Sequence, residues 1–411
     1  MPESDTTFDC ANAENFPVKE HGIYLSHCGI SPMYAGAVRA AHRFNQLHSQ
    51  RGVGVFYEYG DILGNLRQAV GRFLGVDGAN VAFLKNTAEG LSLIAAGFPF
   101  AAGDEVISYI HEYPSNHYPW RIQAGRGVAL KLLPNRDLRL APESGAAAGE
   151  SSRAANSDPG ERPLAFSIDD LEALITPRTR IVAISHVQFT SGFAADLKRV
   201  GAICKSHGIH LVVDAAQSLG SLPIHPKEWG IDAVASAGWK WLLGPIGTGL
   251  LYTSPAFRDK LAHTMAGADS VTQGEDYLDH TWQPHTDARC FEYSTAHVSQ
   301  AVALQACFDD LLNRYGVRAI HHRNQSLRDR LLERLNASFF QLTRFAPEHQ
   351  SGILSFLLPG NAESLAFAKA AGSAGVLLSS RGGYLRIAPH FCTTETEIDG
   401  AADILNRLAA R

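Results

Sequence analysis

The sequence predicts an α/β fold: a mainly parallel, seven-stranded sheet flanked by helices, followed by a smaller α+β C-terminal domain. Apolar runs alternate with amphipathic segments between residues 81 and 252, the rhythm of strand–helix–strand units. Beyond about residue 286 the pattern changes to long helices and short strands. Hydrophobic residues make up 45% of the 411, enough to bury a large core and to form more than one unit.

In order, strands are expected at 81–84, 105–108, 127–133, 179–185, 210–213, 233–235 and 249–252. Helices fit between them at 88–97, 116–124 and 197–207. The stretch 141–163 is rich in Ala, Ser, Gly and Pro with almost no large apolar residue, and reads as a mobile surface insertion. Long helices at 296–315 and 317–335, short strands and a final helix at 395–408 complete the chain. The expected organisation is an N-terminal arm over 1–23, a large domain over 24–285 and a small domain over 286–411.

Composition narrows the function. The net charge is −5 with both signs well mixed, so no cationic field for nucleic acid or an anionic membrane exists, and small-molecule partners are expected. No stretch approaches a bilayer-spanning length and the polar, acidic start is unlike a signal, so a cytoplasmic location is expected. The six cysteines are scattered without a CxxC pair, as suits free thiols in a reducing compartment. The 18 histidines include no HExxH, and no metal site is expected.

The chemistry starts at Asp214, which ends the run HLVVD. A carboxylate at the C-terminal edge of a buried strand points into the crevice where open α/β sheets bind ligands; a cap on the following AAQ turn would explain it equally well. Lys240 follows the next expected strand, between Trp239 and Trp241 and before a Gly-rich stretch. Such surroundings strip water from the amine, lower its pKa and favour the neutral nucleophile that a Schiff base requires. A lone lysine could instead snorkel at the surface. Asp and Lys at the ends of successive strands suit a bound pyridoxal ring, because the carboxylate keeps the pyridine nitrogen protonated.

DAAQSLG followed by SAGWKWLLGPIGTGLLY resembles the class V aminotransferase family of pyridoxal 5'-phosphate (PLP) enzymes, fold type I, which includes cysteine desulfurases, isopenicillin N epimerase, transaminases and lyases. The resemblance runs from about Tyr24 to the C-terminus, interrupted by 141–163. It implies that Lys240 carries the cofactor, Asp214 pairs with the pyridine nitrogen and Gln217 bonds the ring hydroxyl. Tyr113 stands where the family stacks an aromatic ring or His on the pyridine, and Gln188 supplies a second contact to the ring oxygen.

Phosphate is expected at the helix start in LKNTAEG, where Asn86 and Glu89 have the spacing of a capping box and the N–H groups of Thr87, Ala88 and Glu89 face an anion site; the box could also merely start a helix. Thr295 matches the residue that in relatives reaches the phosphate of the neighbouring subunit, which implies a homodimer. Where many relatives carry a Thr, a Ser and a His that donate to phosphate, this chain has Ala88, Ala237 and Trp239. Thr87, Ser236 and the Trp239 indole are the expected replacements.

Arg386 matches the small-domain arginine that grips a substrate carboxylate with two parallel hydrogen bonds. Arg381 is a second, weaker candidate for an anionic group. Between Asn361 and Tyr384, where a desulfurase of this family would hold its nucleophilic thiol, there is no cysteine, and Cys392 follows Arg386. The expected activity is therefore transamination of a small amino acid, with β-elimination, C–S cleavage among it, or epimerisation as alternatives and persulfide relay disfavoured. A degenerate PLP-fold binding or regulatory protein is the non-enzyme alternative.

Overall fold

The computed structural model describes residues 7–140, 162–273, 276–358 and 363–411. The insertion expected at 141–163 lies, but for its last two residues, outside them. A short strand, β1 (Ile23–Tyr24), precedes the central sheet, whose strands are β2 (Val81–Leu84), β3 (Glu105–Tyr109), β4 (Ala129–Leu133), β5 (Thr179–Ser185), β6 (His210–Asp214), β7 (Ala233–Ala237) and β8 (Gly249–Thr253). All seven lie where the apolar runs predict them, in the order β2-β8-β7-β6-β5-β3-β4, and β8 alone runs antiparallel to its neighbours.

Burial on both faces explains why these strands read as continuous apolar runs rather than alternations. In β6, Leu211 and Val213 join the core on one face while Val212 joins the core on the other. The strand order reverses between β3 and β5: the chain leaves β3 outward to β4 and returns on the other side to β5. Loops at the C-terminal ends of these two strands diverge there, which opens the crevice that such sheets use for ligands.

The C-terminal part builds β9 (Gln341–Leu342), β10 (Leu354–Leu357), β11 (Val376–Leu377), β12 (Ser379–Arg381) and β13 (Tyr384–Ile387). β12-β13-β10-β9 form an antiparallel sheet, and β11 pairs in parallel with β1. Leu25, Leu327, Leu354, Ile387 and Ile398 share the core beneath them. The N-terminal arm is thus stitched to the small domain.

Two local readings change. The single helix expected at 116–124 is a series of short turns, with a helix only over Tyr118–Arg121, because Pro114 and Pro119 have no N–H to continue a hydrogen-bonded run. The helix expected at 296–315 is Val298–Cys307 followed by a π-helical stretch, Phe308–Leu312. Its buried Ala301, Leu304, Phe308 and Leu312 lie in the core of the large sheet, so an interface between cores at residue 286 would cut through packed side chains. Among the described residues no helix is long and apolar enough to cross a membrane.

Candidate active site

β6 delivers Asp214 to the C-terminal edge of the sheet, where it is buried and its Oδ1 accepts the Ala216 N–H at 2.9 Å. Burial raises its pKa, opposed by the Ala216 N–H and by the charge of Lys240. Lys240 lies in the turn after β7, half-buried, and desolvation lowers its pKa; Asp214 and Cys28 oppose that shift and Arg386 reinforces it. Its Nζ stands 5.6 Å from the centroid of the Tyr113 ring. Tyr113 follows β3 at the crevice, exposed, with Phe189 set edge-on at 5.2 Å. A buried carboxylate, an amine of depressed pKa and an exposed aromatic ring thus converge at the crevice, a set of groups that suits a flat, protonated heteroaromatic ring.

Arg386 is placed by β13, whose register sets it opposite Ser355 of β10 and Ser379 of β12. It is 2% exposed; its Nη1 donates to the Phe189 carbonyl and its Nε has no partner. A buried guanidinium N–H left unpaired costs about 1–3 kcal/mol, which a substrate carboxylate would relieve. The group therefore fits the carboxylate role. Arg381 is exposed and its Nη1 donates to the Ser380 carbonyl, away from that arrangement.

Gln217 and Gln188 are both buried at the crevice, and both amides are engaged by protein. Gln217 Nε2 donates to the Cys28 carbonyl at 2.8 Å and its Oε1 accepts from the Trp241 indole at 3.1 Å. Gln188 Nε2 donates to the His111 carbonyl, and its Oε1 accepts from Thr190 N, Thr190 Oγ1 and Ser191 N. Each side chain pins a crevice loop, so any ring contact competes with these bonds.

At the expected phosphate end, the helix Thr87–Gly97 starts at Asn86, whose Oδ1 accepts the Glu89 N–H at 2.8 Å. Glu89 does not close the box on Asn86: its Oε2 accepts from Lys85 N, and its Oε1 accepts from Tyr293 Oη. The Glu89 N–H is thereby spent, which leaves those of Thr87 and Ala88 for an anion. Gly249, at the start of β8, lets this helix start press close: a Cβ there would lie 2.6 Å from Asn86 N. Ser236 is buried with Oγ donating to the Ala215 carbonyl at 3.2 Å, so its proton is committed. Trp239 is half-buried, and Thr295 is exposed in the segment between Phe291 and Val298.

Two residues escaped the sequence reading. Glu112, immediately before Tyr113, accepts from Ser185 N at 2.6 Å and from Ser185 Oγ, tying the ends of β3 and β5 together across the crevice. Burial pushes its pKa up to about 7, with Asp214 acting in the same direction. Its position beside Tyr113 was the available signal. Cys28 is the other: buried, with Sγ 3.7 Å from Ser379 Oγ, it carried no motif at all.

A family model described as aminotransferase class-V matches residues 32–144 and 160–386. A probable cysteine desulfurase of Methanothermobacter thermautotrophicus is 26% identical, with 96% of this chain and 96% of the relative aligned. Another probable cysteine desulfurase, of Pyrococcus abyssi, is 27% identical over 79% of this chain and 72% of its own. Among solved structures, an apo cysteine desulfurase from Thermococcus onnurineus superposes with a TM-score of 0.83 at 22% identity, covering 99% of both chains. The cystine C–S lyase C-DES in complex with its product cysteine persulfide gives 0.82 at 21%, covering 96% of this chain and 99% of that one. These relatives overturn the expectation that ranked transamination first and set persulfide chemistry aside. The absence of a thiol from one small-domain loop does not bear on residues that folding brings in from elsewhere.

Proposed function

Because the chain belongs to the class-V aminotransferase family and so is a PLP-dependent enzyme, we propose that it is a cysteine desulfurase, taking sulfur from the cysteine side chain and leaving alanine. What carries the reading is the end-to-end likeness to the archaeal relative that bears that name. When bound, pyridoxal phosphate supplies an electron sink for the bonds at Cα.

The chain's own residues divide the remaining work. Lys240 would hold the cofactor and move a proton to and from Cα; its depressed pKa suits both tasks. Asp214 would hold the proton of the pyridine nitrogen, and Tyr113 would support the ring face. Arg386 orients the substrate through its carboxylate, with Nε as the free donor. Thr87, Ala88 and Trp239 are the groups assigned to the phosphate. Thr295, exposed, serves the phosphate of a second subunit, so the active unit is a homodimer. All six thiols are free, as suits a cytoplasmic, reducing environment.

The PLP-loaded protein, given L-cysteine and a dithiol, should release alanine and sulfide in equal amounts. Pyruvate without alanine, or turnover that requires an added keto acid, overturns the proposal. Sedimentation should show a dimer that loses cofactor and activity together on dilution.

A further inference from the structure

We infer that Cys28, delivered by the N-terminal segment, is the sulfur acceptor of this active site. The inference rests on the desulfurase reading and names the nucleophile that reading requires. Transfer of sulfur from a cysteine side chain needs a thiol within reach of the substrate Sγ, and the stretch from Asn361 to Tyr384 contains none.

Five of the six thiols are placed badly for this. Burial pushes Cys204 and Cys290 up to about 12 and raises Cys10, Cys307 and Cys392 as well, which disfavours the thiolate at each of the five. Cys307 is further held by hydrogen bonds from its Sγ to the carbonyls of Leu243 and Ala303. Of the six thiols, Cys28 alone acts electrostatically on Lys240.

The position of Cys28 is fixed from three sides. After β1 the chain runs beside the end of β13: Ser26 bridges to Ala388, and the Ala388 N–H donates to the Leu25 carbonyl. This brings Cys28 Sγ to 3.7 Å from the hydroxyl of Ser379, the residue paired with Arg386 across β12 and β13. The Cys28 carbonyl accepts from Gln217, on the turn that follows Asp214. Ser31 N–H, three residues on, donates to the carbonyl of Trp239, next to Lys240. The thiol is therefore bracketed by the elements carrying Arg386, Asp214 and Lys240.

The unpaired Nε of Arg386, in a residue 2% exposed, points independently to a carboxylate ligand at this place. An amino acid held by its carboxylate at Arg386 and its nitrogen at Lys240 carries its side chain within the same bracket as Cys28. The Cys28 thiolate attacks the substrate Sγ: an S–S bond forms, the Cβ–S bond breaks, and its electron pair remains on the three-carbon fragment, which takes a proton at Cβ. The balance is L-cysteine plus Cys28 thiol giving L-alanine plus Cys28 persulfide, with no external oxidant. A dithiol then reduces the persulfide, releasing sulfide and its own disulfide. Burial of Cys28 shields the persulfide from solvent until that reductant or an acceptor thiol arrives.

The test uses PLP-loaded full-length protein, wild type and the variants Cys28→Ala and Cys28→Ser. L-cysteine is added without reductant, and alanine release is measured with intact-peptide mass spectrometry. Wild type should form one alanine per site and gain one sulfur atom on the Cys28 peptide. Both variants should keep the Lys240-linked chromophore, which reports an intact site, and lose alanine formation. Alanine formation by Cys28→Ala at the wild-type rate, or the added sulfur on another cysteine, overturns the assignment and leaves the desulfurase reading standing. Absence of alanine from wild type itself removes both.

Discussion

The two walls of the crevice are built in opposite ways. On the sheet side, Asp214 and Lys240 sit at the ends of adjacent strands β6 and β7, and the parallel register of those strands places them together. On the other side, Cys28, Ser379 and Arg386 meet although the first two stand 351 residues apart in the chain. The sheet wall arises from local patterns that repeat along the sequence. The second wall exists only because β1 pairs with β11 and the following segment runs along the end of β13. In the proposed function the labour divides accordingly: cofactor chemistry on the wall set by strand order, substrate handling on the wall set by long-range pairing.

Lys240→Ala probes the sheet wall and carries the largest expected effect. Removing the group proposed to hold the cofactor and move the Cα proton should lower turnover by about 10⁴-fold or more and abolish the chromophore that borohydride reduces. Thermal unfolding should be unchanged within error, since a half-buried site lysine contributes chemistry rather than core. Retained turnover would mean that the amine belongs to the structure and not to the reaction.

Arg386→Ala probes the opposite wall. The chromophore should remain while kcat/KM for an α-amino acid falls by about 30- to several-thousand-fold, the loss of roughly 2–5 kcal/mol from a desolvated, charge-assisted pair. Arg386→Lys should recover little, because a point charge cannot replace the planar fork. A chromophore that shifts with Arg386→Ala would blur the division between the walls.

Glu112→Gln tests the tie across the crevice between β3 and β5, and the effect should appear in the pH dependence of stability. A carboxyl pushed up from 4.5 to about 7 by burial retains its proton in the folded protein over a range where the unfolded chain has released it. Raising the pH from about 4.5 to about 7 must therefore destabilise wild type relative to Glu112→Gln, by up to about 3 kcal/mol. Denaturant unfolding at both pH values measures the difference, and parallel pH profiles would show that Glu112 titrates normally.

Thr295→Ala carries the smallest expected effect. Loss of the hydroxyl proposed to donate to the phosphate of a second subunit should weaken cofactor retention by about 1 kcal/mol, near fivefold, and leave the monomer fold untouched. Cofactor release on gel filtration measures it. An unchanged release curve would place the second subunit's contribution elsewhere.

The strands, Asp214 and Lys240 were legible because buried strands and residues at their C-terminal ends follow rules of short range: side-chain size, alternation and strand order. Proline likewise determined locally that no continuous helix forms at 116–124, although the apolar pattern there favours one. The state of the amides was not legible, since whether Gln217 and Gln188 face a ligand or a neighbouring loop depends on which segment folds over them. The same holds for Glu89, whose carboxylate serves Lys85 N and Tyr293, and for Ser236, whose proton goes to Ala215. By itself the sequence determined the sheet and the placement of Asp214 and Lys240 at one edge of it. Only the tertiary structure decided which distant thiol shares that edge, because contacts such as Cys28 with Ser379 are fixed by closing a loop of most of the chain, and nothing in the local pattern of either segment encodes its partner.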